Sequence, residues 1–321
     1  MKIAYLDCFS GVSGDMFVGS LLDAGLPIEE LESIISGLNI DGYKISAKKE
    51  ERNNIFGTRF SVFLQEEDQK ARYLKEIKEI LESSNLPSSV IERCILIFER
   101  LAITEGEIHH ISPDEVHFHE LGAVDSIIDI VAAVVGIHLL AIEKLFVSRI
   151  PVGTGIIISA HGNIPVPTPA TIALLKGIPI YYSGQDVEMV TPTGAALIAC
   201  LCSSFGPMPP MTIDRVGYGV GSRTLTDRPN LLRIMIGNDV NKQRSETVVV
   251  LESNLDDMSP ELLGYLMESF FDAGAKDVSF SHIQMKKNRP GIQLQVVGQP
   301  EDKDRFIDII FRESTTLGIR F

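Results

Sequence analysis

Tryptophan is absent from this chain and aromatic residues make up only 7% of it. A sizeable core must therefore be built from aliphatic side chains. Basic residues are scarce: 29 lysines and arginines face 43 aspartates and glutamates, a formal net charge of −14. That balance excludes a broad nucleic-acid-binding face, which needs a basic stripe, but leaves room for a local cationic pocket around one nucleotide. Four cysteines in 321 residues do not make a disulfide framework; they read as small core residues in a reducing cytoplasm. Cys200 and Cys202 stand two apart on an expected helix and so point to different faces. Long apolar runs are also missing. The longest, Ile130 to Ile142, contains His138, is flanked by Asp129 and Glu143, and is too short to span a bilayer; it reads as a buried helix. The opening "MKIAYLDCFSG" has no secretory leader pattern. The chain shows no internal repeat and no low-complexity segment.

The segments that are present alternate between strand and helix patterns. "KIAYLDCF" is a short apolar strand, "SGVSGD" a turn, and "MFVGSLLDAGLP" a helix closed by Gly25 and Pro27. A β-like region, "YKISAKKEERNNIFGTRFSVFL", is followed by helical stretches at about Gln69 to Ser83 and Pro87 to Glu107, then by the buried helix from Asp125 to Ala141. "TPATIALLKG" and "TPTGAALIACLCSSFG" are helices with threonine at the cap and proline at the first helical position. The polar, aperiodic "NDVNKQRSE" marks a domain boundary. The predicted fold is an α/β or α+β N-terminal domain over 1–240, followed by a C-terminal domain over 245–321. The latter has a βαββαβ order, the split-βαβ pattern of a ferredoxin-like domain. The first is expected to handle metal and a cofactor precursor, the second a nucleotide or oligomerisation.

Chemistry-bearing residues concentrate in a few stretches. In "SPDEVHFHELGAVDSIIDI", Ser112 to Glu115 is a capping box with proline at N1, which predicts a helical turn. If the chain is extended after it, His117 and His119 share one face and Phe118 takes the other; if helical, the histidines part. Imidazoles with nearby carboxylates suit nickel, zinc or copper, and Glu120 and Asp125 are the oxygen partners at hand. Capping accounts equally well for Asp125. "DCFSGVSGDMF" follows the first strand and opens a helix. Backbone N–H groups in such a turn can cradle an anion, with Asp7 and Asp15 positioning a hydrated divalent ion; it lacks the GK[ST] ending of a P-loop and is not GxGxxG. The competing reading is a tight turn in which Asp15 caps the helix.

His161 in "SAHGNIPVPTPAT", and Thr191, Thr193 and Gly194 in "VTPTGAA", sit on turns that join core elements, where sites collect. "GYGVGSRTLTDRPN" reads as a flexible glycine turn bearing Arg223, Asp227 and Arg228. In the second domain, Glu252, Asn254, Asp256, Asp257 and Glu261 lie at a strand end and helix head, suited either to a helix dipole or to magnesium or manganese. Lys286, Lys287 and Arg289 in "KKNRPG" form a local positive cluster that can hold a triphosphate.

In order along the chain, "YLDCFSGVSGDMFVGSLLDAG", "VHFHELGAVDSIIDIV", "AHGNIPVPTPAT", "VTPTGAA", "GYGVGSRTLTDRPN" and "LESNLDDMSPE" resemble the motifs of the LarC family, the nickel-insertion proteins of nickel-pincer cofactor biosynthesis. The resemblance spans nearly all of the chain. It implies a cytoplasmic nickel chelatase that inserts Ni(II) into pyridinium-3,5-bisthiocarboxylic acid mononucleotide. CTP would be hydrolysed to CMP with magnesium or manganese, and the product would serve lactate racemase and related nickel-pincer enzymes. On this reading Asp7, Asp15 and His161 are the catalytic candidates. His117, His119, Glu120 and Asp125 are candidates for nickel, and Glu252, Asp256 and Asp257 for the nucleotide's metal. Lys286, Lys287, Arg289, Asn254, Thr191, Thr193 and Gly194 are candidates for nucleotide or precursor binding. A homo-oligomer without nucleic-acid or membrane partners is expected. Two other classes stay open: a nickel metallochaperone without turnover, and a metal-dependent nucleotide hydrolase. Members of the family commonly continue past "ESTTLGIRF", where this sequence stops, so incomplete nucleotide handling is an expectation. Some members carry a histidine-rich insertion after the "PTPAT" region; here it runs directly into "IALLKGIPIYY", and no nickel store is expected.

Overall fold

The structure is a computed structural model and describes residues 1–65, 72–118, 124–159, 162–240 and 247–321, with Ser159 through its backbone alone. The chain divides into two compact units, Met1–Asn241 and Lys242–Phe321. Each has its own, mainly aliphatic, core.

The first unit is organised on a seven-stranded mixed sheet. Its strands are β1 (Lys2–Asp7), β2 (Tyr43–Arg52), β3 (Ile55–Leu64), β4 (Lys144–Val147), β5 (Cys202–Phe205), β6 (Met211–Val220) and β7 (Leu231–Asp239). Their order is β5-β4-β1-β7-β6-β3-β2. β1 runs parallel to β4 and antiparallel to β7. Its residues Ile3 to Leu6 are all buried, as a strand deep in a sheet demands. β2 and β3 form a hairpin turned by Asn53 and Asn54, both at positive φ; asparagine tolerates that conformation better than most residues.

The helices of this unit are α1 (Gly14–Asp23), α2 (Ile28–Ile35), α3 (Leu74–Glu82), α4 (Ser88–His109), α5 (Val124–Leu139), α6 (Pro169–Leu174) and α7 (Pro192–Leu201). α5 is apolar almost all round, which is the pattern of a helix enclosed on every side. It packs against α1, α2, α4 and α7. α6 and α7 start as their sequences predict. The hydroxyls of Thr168 and Thr191 accept from the backbone N–H of Thr171 and Gly194, with proline at the first helical position.

Two expectations need correction. The glycines of "GYGVG" do not form a flexible turn; Gly217 and Gly219 lie inside β6, under α1. A Cβ on Gly219 would stand 1.8 Å from the Met16 carbonyl oxygen, and one on Gly217 would stand 2.2 Å from that of Ser20. The bare strand lets the helix backbone settle directly upon it. Likewise the helix read through "TPTGAALIACLCSSFG" stops at Leu201, and Cys202 opens the edge strand β5 beside β4. The unpaired edge of β4 takes up this segment, which carries two serines with weak helix preference.

The second unit contains β8 (Val249–Leu255), α8 (Pro260–Asp272), β9 (Asp277–Met285), β10 (Arg289–Gly298) and α9 (Lys303–Glu313). The strands are antiparallel in the order β8-β10-β9. Leu263, Leu266, Phe270, Phe306 and Ile310 from the helices bury against Leu251, Leu255, Leu294 and Val296 from the sheet. The expected last strand, "LGIRF", is represented by one bridge. Glu252 and Arg320 exchange backbone hydrogen bonds of 2.8 and 2.9 Å beside β8.

Candidate functional site

The chain leaving β1 turns at Gly11 and enters α1, and this turn is stitched to the segment that enters α7. The Val12 N–H donates to the Met189 carbonyl at 3.0 Å and the Thr191 N–H donates to that of Val12 at 3.2 Å. The N-termini of α1 and α7 therefore lie side by side. A third stretch, the loop after β6, is fastened to the same place. Ser10 donates its hydroxyl to the Pro229 carbonyl at 2.7 Å, and the Asn230 amide donates to the Arg223 carbonyl at 2.9 Å. Arg223 in turn donates to the Glu188 carbonyl at 2.8 Å. Between the three stretches lies a cavity of about 120 Å³, whose lining includes Ser10, Ser13, Asp15, Thr191, Arg223 and Asn230. Most of these side chains are polar, and the first turns of α1 and α7 stand at its rim.

Two acids line this cavity, Asp15 and Glu188; Glu188 pairs with Arg223 at 3.4 Å, and among the described residues Asp15 has no such ion pair. The Ser13 hydroxyl donates to its Oδ1, and so does the Met16 N–H at 2.8 Å. Asp15 is thus not the cap of α1, whose N-cap is Ser13, but a first-turn residue folded back on its own turn. Burial raises its pKa, against the opposing effect of those two hydrogen bonds. Beneath it lies Asp129 of α5, an acid that sequence reasoning passed over as one flank of an apolar run. Burial raises the pKa of Asp129 well above the usual carboxylate range, and the charges of Asp15 and Asp125 raise it further. The Asp15 backbone N–H lowers it, in opposition to burial. Both acids keep some solvent contact at the side-chain surface, but packed atoms surround them closely enough for desolvation to dominate. The available signal was helical spacing: Asp125 and Asp129 are four apart and share one face of α5.

The other candidates fall into separate places. Asp7 is absent from the cavity lining; it ends β1 and its Oδ2 holds Arg233 at 2.5 Å across the β1–β7 pair. Thr193 and Gly194 lie buried within the first turn of α7, so of the three residues in that turn Thr191 lines the cavity. Ser112 to Glu115 forms the expected capping box around a short 3-10 turn. His117 and Phe118 then run extended, paired with Arg72 and Tyr73. His117 is exposed, its ring 4.7 Å from that of Tyr73, and Phe118 is buried. His119, Glu120 and His161 lie outside the described residues. Asp125 is exposed in the first turn of α5, where its Oδ1 accepts the Ser126 N–H at 2.8 Å. Among the described residues no group of three or more histidines, cysteines, aspartates or glutamates is arranged to hold a metal ion.

In the second unit the basic loop and the acidic strand end meet. Arg289 opens β10 next to the end of β8, and its Nη1 is 3.4 Å from Oδ2 of Asp256. Lys286 and Lys287 form the turn just before it, with Lys287 at positive φ. Asp257 accepts from the Thr315 hydroxyl. Asn254 accepts from Arg320 at 2.9 Å, and Glu252 accepts from Gln295 at 3.2 Å. No helix among the described residues is long and apolar enough to cross a membrane.

Comparison with known proteins supplies what geometry alone does not. A family model described as nickel insertion protein matches residues 4–321. A putative nickel insertion protein of Syntrophobacter fumaroxidans is 47% identical over 320 residues, covering 100% of this chain and 82% of that protein. The pyridinium-3,5-bisthiocarboxylic acid mononucleotide nickel insertion protein of Desulfitobacterium hafniense is 45% identical over 326 residues, covering 100% of this chain and 81% of that one. The solved apo structure of LarC2, described as the C-terminal domain of a cyclometallase involved in the synthesis of the NPN cofactor of lactate racemase, is 49% identical. It covers 23% of this chain and 51% of its own, with a TM-score of 0.23.

Proposed function

Because this chain belongs to the nickel insertion protein family, we propose that it inserts Ni(II) into pyridinium-3,5-bisthiocarboxylic acid mononucleotide. The product is then the nickel-pincer cofactor, handed on to a nickel-pincer-dependent racemase, and the reaction is coupled in the cytoplasm to hydrolysis of CTP to CMP. What supports the substrate is the relative of that name, matched along the whole chain. What supports the placement is one observation: three stretches far apart in sequence, around Ser10 to Asp15, Thr191 and Arg223 to Asn230, close on a single polar cavity. That cavity receives the precursor, with Asp15 facing it and Arg223 and the two helix N-termini suited to the precursor's anionic groups.

Nickel is cargo here. His117, His119, Glu120 and Asp125 are its proposed capture ligands; imidazole nitrogen and carboxylate oxygen bind Ni(II) well enough to collect it. Thiocarboxylate sulfur is softer and competes it away. Histidine ligands must be neutral to bind, so capture weakens in acid.

The second unit is assigned the nucleotide and the contact between subunits of a homo-oligomer. Its three-stranded order with a bridge beside β8 is read as a ferredoxin-like sheet whose fourth strand is minimal. The residues present fit a nucleotide with its divalent metal. Magnesium is usually held by one or two carboxylates plus the phosphates, not by a cage of protein ligands. Asp256 and Asp257 would hold it and Lys286, Lys287 and Arg289 would hold the phosphates, with Asn254 at the sugar or base. When bound, the metal offsets the negative charge that develops on the phosphates.

The test is stoichiometric. The full chain is incubated with Ni(II) and precursor, with and without CTP and magnesium, and nickel-bearing product and CMP are counted per chain. The proposal expects product that requires CTP, and CMP that requires precursor. Nickel delivery without CMP would identify a metallochaperone, and CMP without precursor a nucleotide hydrolase; either would replace it.

A further inference from the structure

We infer that Asp129 is a positioning residue for the cavity: it holds the first turn of α1, and so Asp15, in place. The inference rests on the reading above that this cavity is where the precursor is worked on.

Three observations converge on it. The first is the fit between Asp129 and Gly14. A Cβ on Gly14 would stand 2.4 Å from Oδ2 of Asp129 and 2.7 Å from its Cβ. The acid thus occupies the space that any side chain at position 14 would need. The second is electrostatic: the Asp15 backbone N–H faces the Asp129 carboxylate and favours its charged form. That N–H is one of those a helix start leaves without an intrahelical partner, and it belongs to Asp15, which with Glu188 is one of two acids lining the cavity. The third is chemical economy. Ile127, Ile128, Ile130 and Val131 around Asp129 are buried aliphatics. An acid among them loses solvation, and a helix chosen for packing alone would carry an apolar side chain there. Groups kept at such a cost concentrate at functional sites. Asp129 also joins the cavity to the histidine-bearing segment, because α5 begins just after that segment and carries Asp125 four residues before Asp129.

The full chain is tested as Asp129→Asn and Asp129→Ala, with two readouts. Amide hydrogen exchange is followed on peptides spanning Cys8 to Phe17. Nickel insertion is followed as kcat and as KM for the precursor, alongside Tm. Asn keeps an acceptor oxygen in the same shape, so exchange and kcat should stay close to wild type. Ala removes the acceptor. Its Asp15 region should exchange faster and its kcat should fall by about 10²-fold, the scale of a displacement of roughly 1 Å in an active site. Tm should stay level or rise as a desolvated acid is removed. A merely structural Asp129 would instead lower Tm and activity together, in both variants. Wild-type exchange in Asp129→Ala overturns the inference, whatever the activity, and so does a wild-type kcat in that variant. A wild-type chain that forms no nickel-bearing product defeats the functional reading alone, and the exchange readout still decides the role of Asp129.

Discussion

Gly219 carries no side chain because α1 leaves no room for one. Its missing Cβ would meet a backbone carbonyl oxygen at 1.8 Å, and backbone cannot rotate away as a flexible side chain can. Gly219→Ala should therefore push α1 off β6 and cost about 1–3 kcal/mol, the usual penalty of overpacking, or more. A urea unfolding midpoint equal to wild type would refute this account. Asp15 and Asp129 make a second residue-scale prediction. Both pKa values are raised in the fold from 3.8, the value their unfolded counterparts take. Above that value, and until the raised values are passed, the folded chain binds more protons than the unfolded one. Their contribution to stability is therefore fully present in acid, below the unfolded value, and is lost as pH rises through the folded pKa values. Tm measured across that window should fall more steeply with rising pH in wild type than in Asp129→Asn, which has one acid fewer to ionise. Parallel curves would show that Asp129 carries no such linkage.

At the scale of elements, local signals were readable where a residue type has one physical use and misleading where it has two. Threonine then proline marks a helix start because the hydroxyl accepts an open N–H and the ring needs no donor, and α6 and α7 begin where that pattern predicts. The capping box at Ser112 was equally legible. Glycine is ambiguous: it permits a turn, and it also permits close approach of two backbones. "GYGVG" looks like the first and is the second, because α1, some two hundred residues earlier in sequence, lies upon it. Pairing of Cys202 with β4 and the placing of Asp129 against Gly14 are long-range in the same way, and no local pattern encodes them. The cavity separates the two caps. Thr168→Ala and Thr191→Ala should each cost about 1 kcal/mol of stability. Thr191 lines the cavity and Thr168 does not. Only Thr191→Ala should raise KM for the precursor, measured at a temperature where both variants are folded. An equal effect on KM would move the precursor away from Thr191.

For the whole molecule the governing quantity is charge. A chain of formal net charge −14 repels a triphosphate at long range, so nucleotide binding needs cations gathered locally together with a divalent metal. Sequence showed both a basic loop and an acidic strand end in the second unit without showing that they adjoin. The antiparallel register settles that, because β10 starts where β8 ends and brings Arg289 to Asp256. The 3.4 Å pair is exposed on the arginine side, so it adds little to stability and leaves the guanidinium available to an incoming phosphate. If CTP binds there, Arg289→Ala should weaken its affinity by roughly 10- to 100-fold, the range of a lost charge-assisted hydrogen bond. Tm without nucleotide should change little. Wild-type affinity should also fall with added salt, and the slope of log Kd against log salt should flatten in Arg289→Ala as one ionic contact is lost. Calorimetric titration of the full chain with CTP and manganese, repeated at two or more salt concentrations, measures all of these but Tm. Unchanged affinity and slope in Arg289→Ala would place the triphosphate away from this strand end, and the Arg289–Asp256 pair would then be a surface ion pair with no part in nucleotide binding.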